Sequence, residues 1–217
     1  MCPGPGGTLR DAALQVVTHL FLGRAYQALG DYPQAIDLQR QNLVALEGAL
    51  LRERFGLSGL PSVTSRALLA RCLAEVGVFT EGLAHGEEGF QIAEAVNHPS
   101  SLIAACYGIG HVYLLKGELH QAIPWLERGL DVCRVWDIPL LFYILSSTLG
   151  YAYVLSGRVS EALPLLEQSV STEVTEIMRG TVHVWLSEAY LRLGRLDEAL
   201  AVAVRSLELC WKVSQRC

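Results

Sequence analysis

The sequence predicts an all-α solenoid of about ten helices, built as five helix–turn–helix repeats. The first observation is a six-position pattern that recurs five times: a large apolar residue, a small residue and an aromatic or leucine, then a glycine, then a large and a small residue. Its copies are Leu22, Gly23, Tyr26, Gly30, Tyr32, Ala35; Leu69, Ala70, Leu73, Gly77, Phe79, Gly82; Ile109, Gly110, Tyr113, Gly117, Leu119, Ala122; Leu149, Gly150, Tyr153, Gly157, Val159, Ala162; and Leu186, Ser187, Tyr190, Gly194, Leu196, Ala199. The second is that the central glycine is present in every copy, at spacings of 47, 40, 40 and 37 residues. The third is that the first three positions fall on one helical face, where a mid-helix glycine costs about 0.8–1 kcal/mol relative to alanine. Gly110 is therefore expected to permit close helix approach, with the small Ala122 facing it.

In chain order, residues 1–8 are Gly/Pro-rich and expected to be disordered, and the first helix is expected from Leu9 to Leu29. Its partner starts after Asp31, a residue type suited to an N-cap, and its apolar pattern runs on through Leu43, Leu46, Leu50 and Leu51 to Gly56. That extension accounts for the longest spacing. Pro61, Pro99 and Pro139 each open the first helix of a repeat, where proline fits the first turn. Before the fifth copy STEVTEIMRG connects instead, with Gly180 expected as a weak point. The repeats are thus expected at about 9–56, 61–97, 99–136, 139–172 and 175–213, as one solenoid over 9–217. The last helix has two apolar sides, Ala199, Ala203 and Cys210 on one and Leu200, Val204, Leu207 and Trp211 on the other. A solenoid ordinarily ends on a polar face, so either the chain is a piece of a longer protein or it self-associates there; for the isolated chain a homodimer through the C-terminal helix is expected.

The pattern resembles the tetratricopeptide repeat (TPR), although the period is longer and the tryptophan near each repeat start is missing. The resemblance implies a right-handed superhelix whose first helices line a concave face that binds a protein or peptide. Mapped onto that frame, the face holds Leu20, Arg24 and Gln27; Arg71 and Glu75; Tyr107, His111 and Leu114; Ser147, Tyr151 and Val154; and Glu188 and Arg192. The partner-binding residues expected from it are Arg24, Gln27, Arg71, Glu75, Tyr107, His111, Tyr151, Glu188 and Arg192. It would be basic at one end and aromatic in the middle, with Arg24 and Arg71 reading an acidic group. The carboxylate clamp of chaperone-binding repeats wants Lys and Asn where this chain has Leu20 and Arg24. The segments LLRERFGLSGLPSVTSRALLARCLAEVG, EEGFQIAEAVNHPSSLIAACYGIGHVYLLKG and AIPWLERGLDVCRVWDIPLLF also resemble the repeat region of large bacterial signalling proteins that join a nucleotide cyclase to an ATPase domain.

Composition narrows the function classes. A formal net charge of −5 without a basic run argues against nucleic acid, which rewards clustered Lys and Arg. Mean hydropathy is high at +0.31, and Ile138 to Gly157 is an uncharged stretch of bilayer-spanning length. It nevertheless begins at Pro139, holds Ser146, Ser147 and Thr148, and carries the fourth copy in frame, so no membrane span is expected. MCPGPGG has neither the basic start nor the apolar core of a secretory leader, and a cytoplasmic location is expected. The six cysteines form no C-x-x-C pair, and reduced, mostly buried thiols are expected; Cys106 and His111 lie five apart, on different helical faces. No metal or cofactor is expected. Gly108 and Gly110 make a G-x-G inside a repeat helix, with no phosphate loop, and no strained nucleophile turn occurs. The expectation is a non-catalytic interaction scaffold, with a small-molecule sensor holding its ligand among Tyr107, His111 and Tyr151 as the alternative.

Overall fold

A computed structural model describes residues 5–171 and 176–214. Every regular element among them is helical. The order is α1 (Pro5–Ala28), α2 (Tyr32–Ala45), a short 3-10 helix (Gly48–Arg52), α3 (Pro61–Glu75), α4 (Phe79–Ala95), α5 (Pro99–Lys116), α6 (Leu119–Trp136), α7 (Pro139–Leu155), α8 (Val159–Ser171), α9 (Glu176–Arg192) and α10 (Leu196–Ser214). Contacts divide the chain into two compact units, residues 1–132 and 133–217. In the first, α1 packs on α2 and α3, α2 on α3, α3 on α4 and α5, and α4 on α5. In the second, α7 packs on α8 and α9, α8 on α9, and α9 on α10. Within each unit, odd-numbered helices therefore touch one another as well as even-numbered neighbours.

The turn glycines have one physical cause in all five copies. Gly30, Gly77, Gly117, Gly157 and Gly194 each sit at φ between +73° and +82°, a left-handed conformation that side chains resist. The residue after each glycine donates its N–H back to the helix carbonyl five residues earlier: Asp31 to Tyr26 at 2.9 Å, Val78 to Leu73 at 2.8 Å, Glu118 to Tyr113 at 3.0 Å, Arg158 to Tyr153 at 2.8 Å and Arg195 to Tyr190 at 2.9 Å. This closes the first helix of every repeat with the same cap. Asn97 and Asp137, at φ +47° and +48°, turn the chain between repeats in the same way, with His98 and Ile138 reaching back to Ala93 and Cys133 at 3.2 Å. Pro61, Pro99 and Pro139 then open α3, α5 and α7, as anticipated.

Three local expectations are corrected. Helix α1 begins at Pro5 rather than Leu9, and residues 1–4 lie outside the described residues. Helix α2 ends at Ala45 instead of running to Gly56; Gly48, at φ +58°, breaks it, and the extra residues of the long first repeat form the 3-10 turn and the loop to Pro61. Its cap is as read, with the Asp31 carboxylate accepting from the Gln34 N–H at 3.3 Å. Gly180 lies inside α9, and its carbonyl accepts the buried Ser206 hydroxyl of α10 at 3.1 Å. The residue over Gly110 is Leu126, not Ala122: a Cβ at Gly110 would come within 2.7 Å of Leu126 Cδ2, while Ala122 contributes its carbonyl at 3.5 Å.

The same packing recurs in the fourth copy, where a Cβ on Gly150 would meet Leu166 Cγ at 2.8 Å and the Ala162 carbonyl at 3.5 Å. In the fifth, Ser187 stands in the glycine position and donates its hydroxyl to the Ala199 carbonyl at 3.0 Å. In the second the roles are exchanged: Gly82 on the second helix faces the Ala70 carbonyl, a Cβ there falling at 3.0 Å. In the first, Gln39 replaces the overlying leucine; its amide nitrogen sits over Gly23 and donates to the His19 carbonyl at 3.2 Å. Around these contacts the core is apolar, with Leu20, Ile36, Leu68, Leu69, Cys72 and Leu73 in one cluster and Leu60, Val63, Phe90, Ala105, Cys106 and Ile109 in another. Cys72, Cys106 and Cys133 are buried thiols outside any disulfide, and burial pushes the Cys72 and Cys106 thiols up to about 11 and about 12. No helix among the described residues is long and apolar enough to cross a membrane.

Candidate functional site

The odd-numbered helices place the residue two after the pattern's large apolar position on a common side: Arg24 on α1, Arg71 on α3 and His111 on α5. In the first unit these gather Glu75 and Tyr107 into one cluster. The Arg71 guanidinium lies over the Tyr107 ring, 4.6 Å from its centroid, and the Tyr107 and His111 rings are 5.8 Å apart. His111 Nε2 stands 3.3 Å from Glu75 Oε1, and the Tyr32 hydroxyl also donates to Glu75. Arg24 is near enough for its charge to repel that of Arg71 and lies 5.9 Å from the Phe21 ring. Gln27 is half-buried one turn farther along α1.

The electrostatics of the cluster are coupled. The hydrogen bond from His111 holds the Glu75 carboxyl below the usual carboxylate range, with the charges of His111 and Arg71 and the Tyr32 hydroxyl acting in the same sense against burial. Burial pushes His111 below its ordinary value; Glu75 opposes this and the Arg71 charge reinforces it. A neutral imidazole that donates from Nε2 has a bare lone pair at Nδ1, and that atom is buried without a hydrogen-bond partner among the described residues, as is Arg71 Nε. Tyr32 is raised, first by burial and then by the Glu75 charge.

Several other arginines of the chain are ion-paired, whereas among the described residues Arg24 and Arg71 are not. Arg40 pairs with Glu81 at 2.8 Å, Arg66 with Glu88 at 2.6 Å, Arg128 with Glu94 at 2.9 Å and Arg158 with Glu161 at 2.6 Å, and Arg195 pairs with Glu198. Among the described residues neither Arg24 nor Arg71 has a carboxylate within ion-pair reach. An unpaired guanidinium beside aromatic rings can take a carboxylate through two parallel N–H donors.

In the second unit Tyr151 stacks on Trp185, with centroids 4.8 Å apart and ring planes within 10°. Glu188 and Arg192 pair with each other across one helical turn, Nη2 to Oε1 at 2.7 Å, so both charges are already satisfied. Trp185 was missed in the sequence because the equivalent positions of the other copies hold Phe21, Leu68, Gly108 and Thr148. Four residues mapped to the open face are buried instead: Leu20, Leu114, Ser147 and Val154. The odd helices pack closely enough to cover those positions, which leaves a narrower surface. Cys106 belongs to the apolar core and His111 faces Glu75, so the two do not converge.

Three stretches of the chain match models of the tetratricopeptide repeat, at residues 18–53, 103–134 and 180–205, and the chain carries such repeats. Its fold is that of an all-α TPR-like solenoid. It is similar to the nearly identical TPR-like repeats of a proposed kinesin light chain of Podosopora anserina, at 24% identity and a TM-score of 0.61, covering 93% of this chain and 97% of that one. It is also similar to BtubC (BKLC) from P. vanneervenii, at 14% identity and a TM-score of 0.69, with 94% and 82% covered, and to MamA, at 19% identity and a TM-score of 0.53, with 89% and 96% covered. No curated protein matches the chain.

Proposed function

We propose that the chain is a non-catalytic protein-interaction module whose first unit binds an acidic, extended or helical peptide segment on the face of α1, α3 and α5. The observation that carries this reading is that among the described residues Arg24 and Arg71 make no ion pair, while Arg40, Arg66, Arg128 and Arg192 each do. Arg71 sits over the Tyr107 ring, and Tyr107 with His111 offers ring surface beside the cation. Such a site supplies bidentate carboxylate recognition with an apolar anchor next to it. Glu75, tied to His111 and Tyr32, orients the imidazole and sets a negative edge that disfavours a second acidic group there. In the second unit the stacked Tyr151 and Trp185 form an apolar patch of their own. TPR-carrying chains serve in general as binding scaffolds, and a place for this one in a cytoplasmic bacterial signalling protein rests on the segment likeness to cyclase/ATPase proteins.

The test is selection of displayed random peptides on the purified chain. The expected peptides are rich in Asp and Glu with an aromatic or aliphatic neighbour, and the R24A/R71A variant, folded to the same helical content, loses them. Peptides without acidic enrichment, or retained by that variant, would refute the site.

A further inference from the structure

We infer that the face left uncovered on α10 receives α1 of a second copy of this chain, so that copies join head to tail. The inference is independent of the peptide site. Its basis is the interface already present inside the chain, where the second helix of one repeat packs on the first helix of the next. On α2 that face is Tyr32, Ile36 and Leu43, which pack with Leu69 and Cys72 of α3. On α4 it includes Leu83 and Phe90, against Ala105 and Ile109 of α5. Counted from the small residue of the pattern, α10 carries Leu196, Leu200 and Leu207 at these same positions, and there they are exposed, Leu200 and Leu207 each at 66%.

Helix α1 shows the complementary half. Leu69, Ile109 and Leu186 occupy the first pattern position of α3, α5 and α9 and are buried; Leu22, at the same position of α1, is 45% exposed. Cys72, Val112 and Ala189 are buried three residues later, where Ala25 is exposed, and Leu14 and Leu29 extend the stripe along the helix. One chain therefore presents both members of a pairing that it makes internally, one member on each of two helices.

Side-chain detail fits the same register. The Tyr190 hydroxyl of α9 donates to Glu167 of α8 at 2.8 Å, and the corresponding meeting across copies would set Val204 against Tyr26. Where α2, α4 and α8 hold the charges Arg40, Glu87 and Glu167, α10 holds Val204, and Trp211 replaces Glu94 of α4. This face is more apolar than the internal ones it continues. A pairing of two different surfaces does not close on itself after two copies, so assembly proceeds to larger species with concentration.

The test uses two variants of the full chain, L200E/L207E to block α10 and L14E/L22E to block α1, with L200Q/L207Q and L14Q/L22Q as milder alternatives should either fail to reach native helicity. Sedimentation equilibrium of the wild type is expected to show a mass that rises beyond twice 23.7 kDa with concentration, and each variant alone is expected to stay at 23.7 kDa. An equimolar mixture of the two is expected to give a dimer and nothing larger, because one intact α1 meets one intact α10. A wild type that remains monomeric at high micromolar concentration overturns the inference. So does an L14E/L22E variant that still dimerises, which would mean α10 pairs with α10, or a mixture that stays monomeric.

Discussion

Replacing Gly110 by alanine would test whether the recurrent glycine is there for helix approach. The new Cβ would stand 2.7 Å from Leu126 Cδ2 and 2.8 Å from Cγ, where unstrained carbons sit about 3.5–4.0 Å apart. Leu126 is fully buried, so the overlap is relieved only by moving a packed side chain, at a cost of about 1–3 kcal/mol. Against this, alanine in place of a mid-helix glycine contributes about 0.8–1 kcal/mol. The net expectation for G110A is a loss of roughly 0–2 kcal/mol, which could be ascribed to many causes if measured alone. The L126A background removes the overlapping atoms. There G110A should instead stabilise by about 1 kcal/mol, giving a coupling between the two sites of about 1–3 kcal/mol. Urea denaturation of the four proteins gives the cycle directly. If G110A shifts the midpoint equally in both backgrounds, the glycine is not held by Leu126 and the packing argument fails.

Other expectations follow from the turns and from the charged cluster. At Gly117, φ is +81°, so G117A should destabilise by about 1–2 kcal/mol while G117N costs clearly less, since Asn97 and Asp137 already hold that conformation in this chain; thermal melts compare the two. S187A should cost about 1 kcal/mol by removing the hydroxyl's bond to the Ala199 carbonyl across the helix pair, read from the same melts. For His111, burial lowers the folded-state value below the ordinary 6.5, so the unfolded chain binds the proton first and stability falls as pH drops below about 6.5. Glu75, also lowered, acts in the same direction at lower pH, its contribution being complete above 4.5 and lost as pH falls below it. H111Q keeps a donor for Glu75 and removes the titration, so its stability should decline less than that of the wild type between pH 7 and 5. Equal slopes would show that His111 is protonated as readily in the folded chain as in the unfolded one.

The fold was legible because its governing constraint is local. A left-handed cap residue after every first helix demands glycine, and five glycines in one frame therefore mark five turns whatever surrounds them. Prolines at 61, 99 and 139 fixed the helix starts by the same kind of local chemistry. What lay beyond reach depended on how helices cross. The spacing placed Ala122 near Gly110, but the crossing brings Leu126, one turn farther on, over the glycine. The apolar run Leu43, Leu46, Leu50 and Leu51 continued the helical period past Ala45, yet Gly48 at positive φ ends the helix, a signal present in the sequence and outweighed by the pattern. At the candidate site Arg24, Arg71 and His111 stand two after the large apolar position of α1, α3 and α5. Leu20, Leu114, Ser147 and Val154, on the flanks of the same face, were not foreseen as buried, because burial there depends on the separation of neighbouring odd helices. Arg24 and Arg71 could be named from the sequence, but that neither makes an ion pair among the described residues could only be seen in the structure.

The central claim is that the face of α1, α3 and α5 is where a partner sits, and site-specific photocrosslinking addresses it most directly. Benzoylphenylalanine would replace Tyr107 on that face in one protein and Gln91, exposed on α4, in another, each irradiated with a selected acidic peptide. Crosslinks from position 107 that are suppressed by excess unlabelled peptide, with none from position 91, are the predicted result. Crosslinks from position 91 and none from position 107 would place the partner on the even-numbered helices and contradict the account.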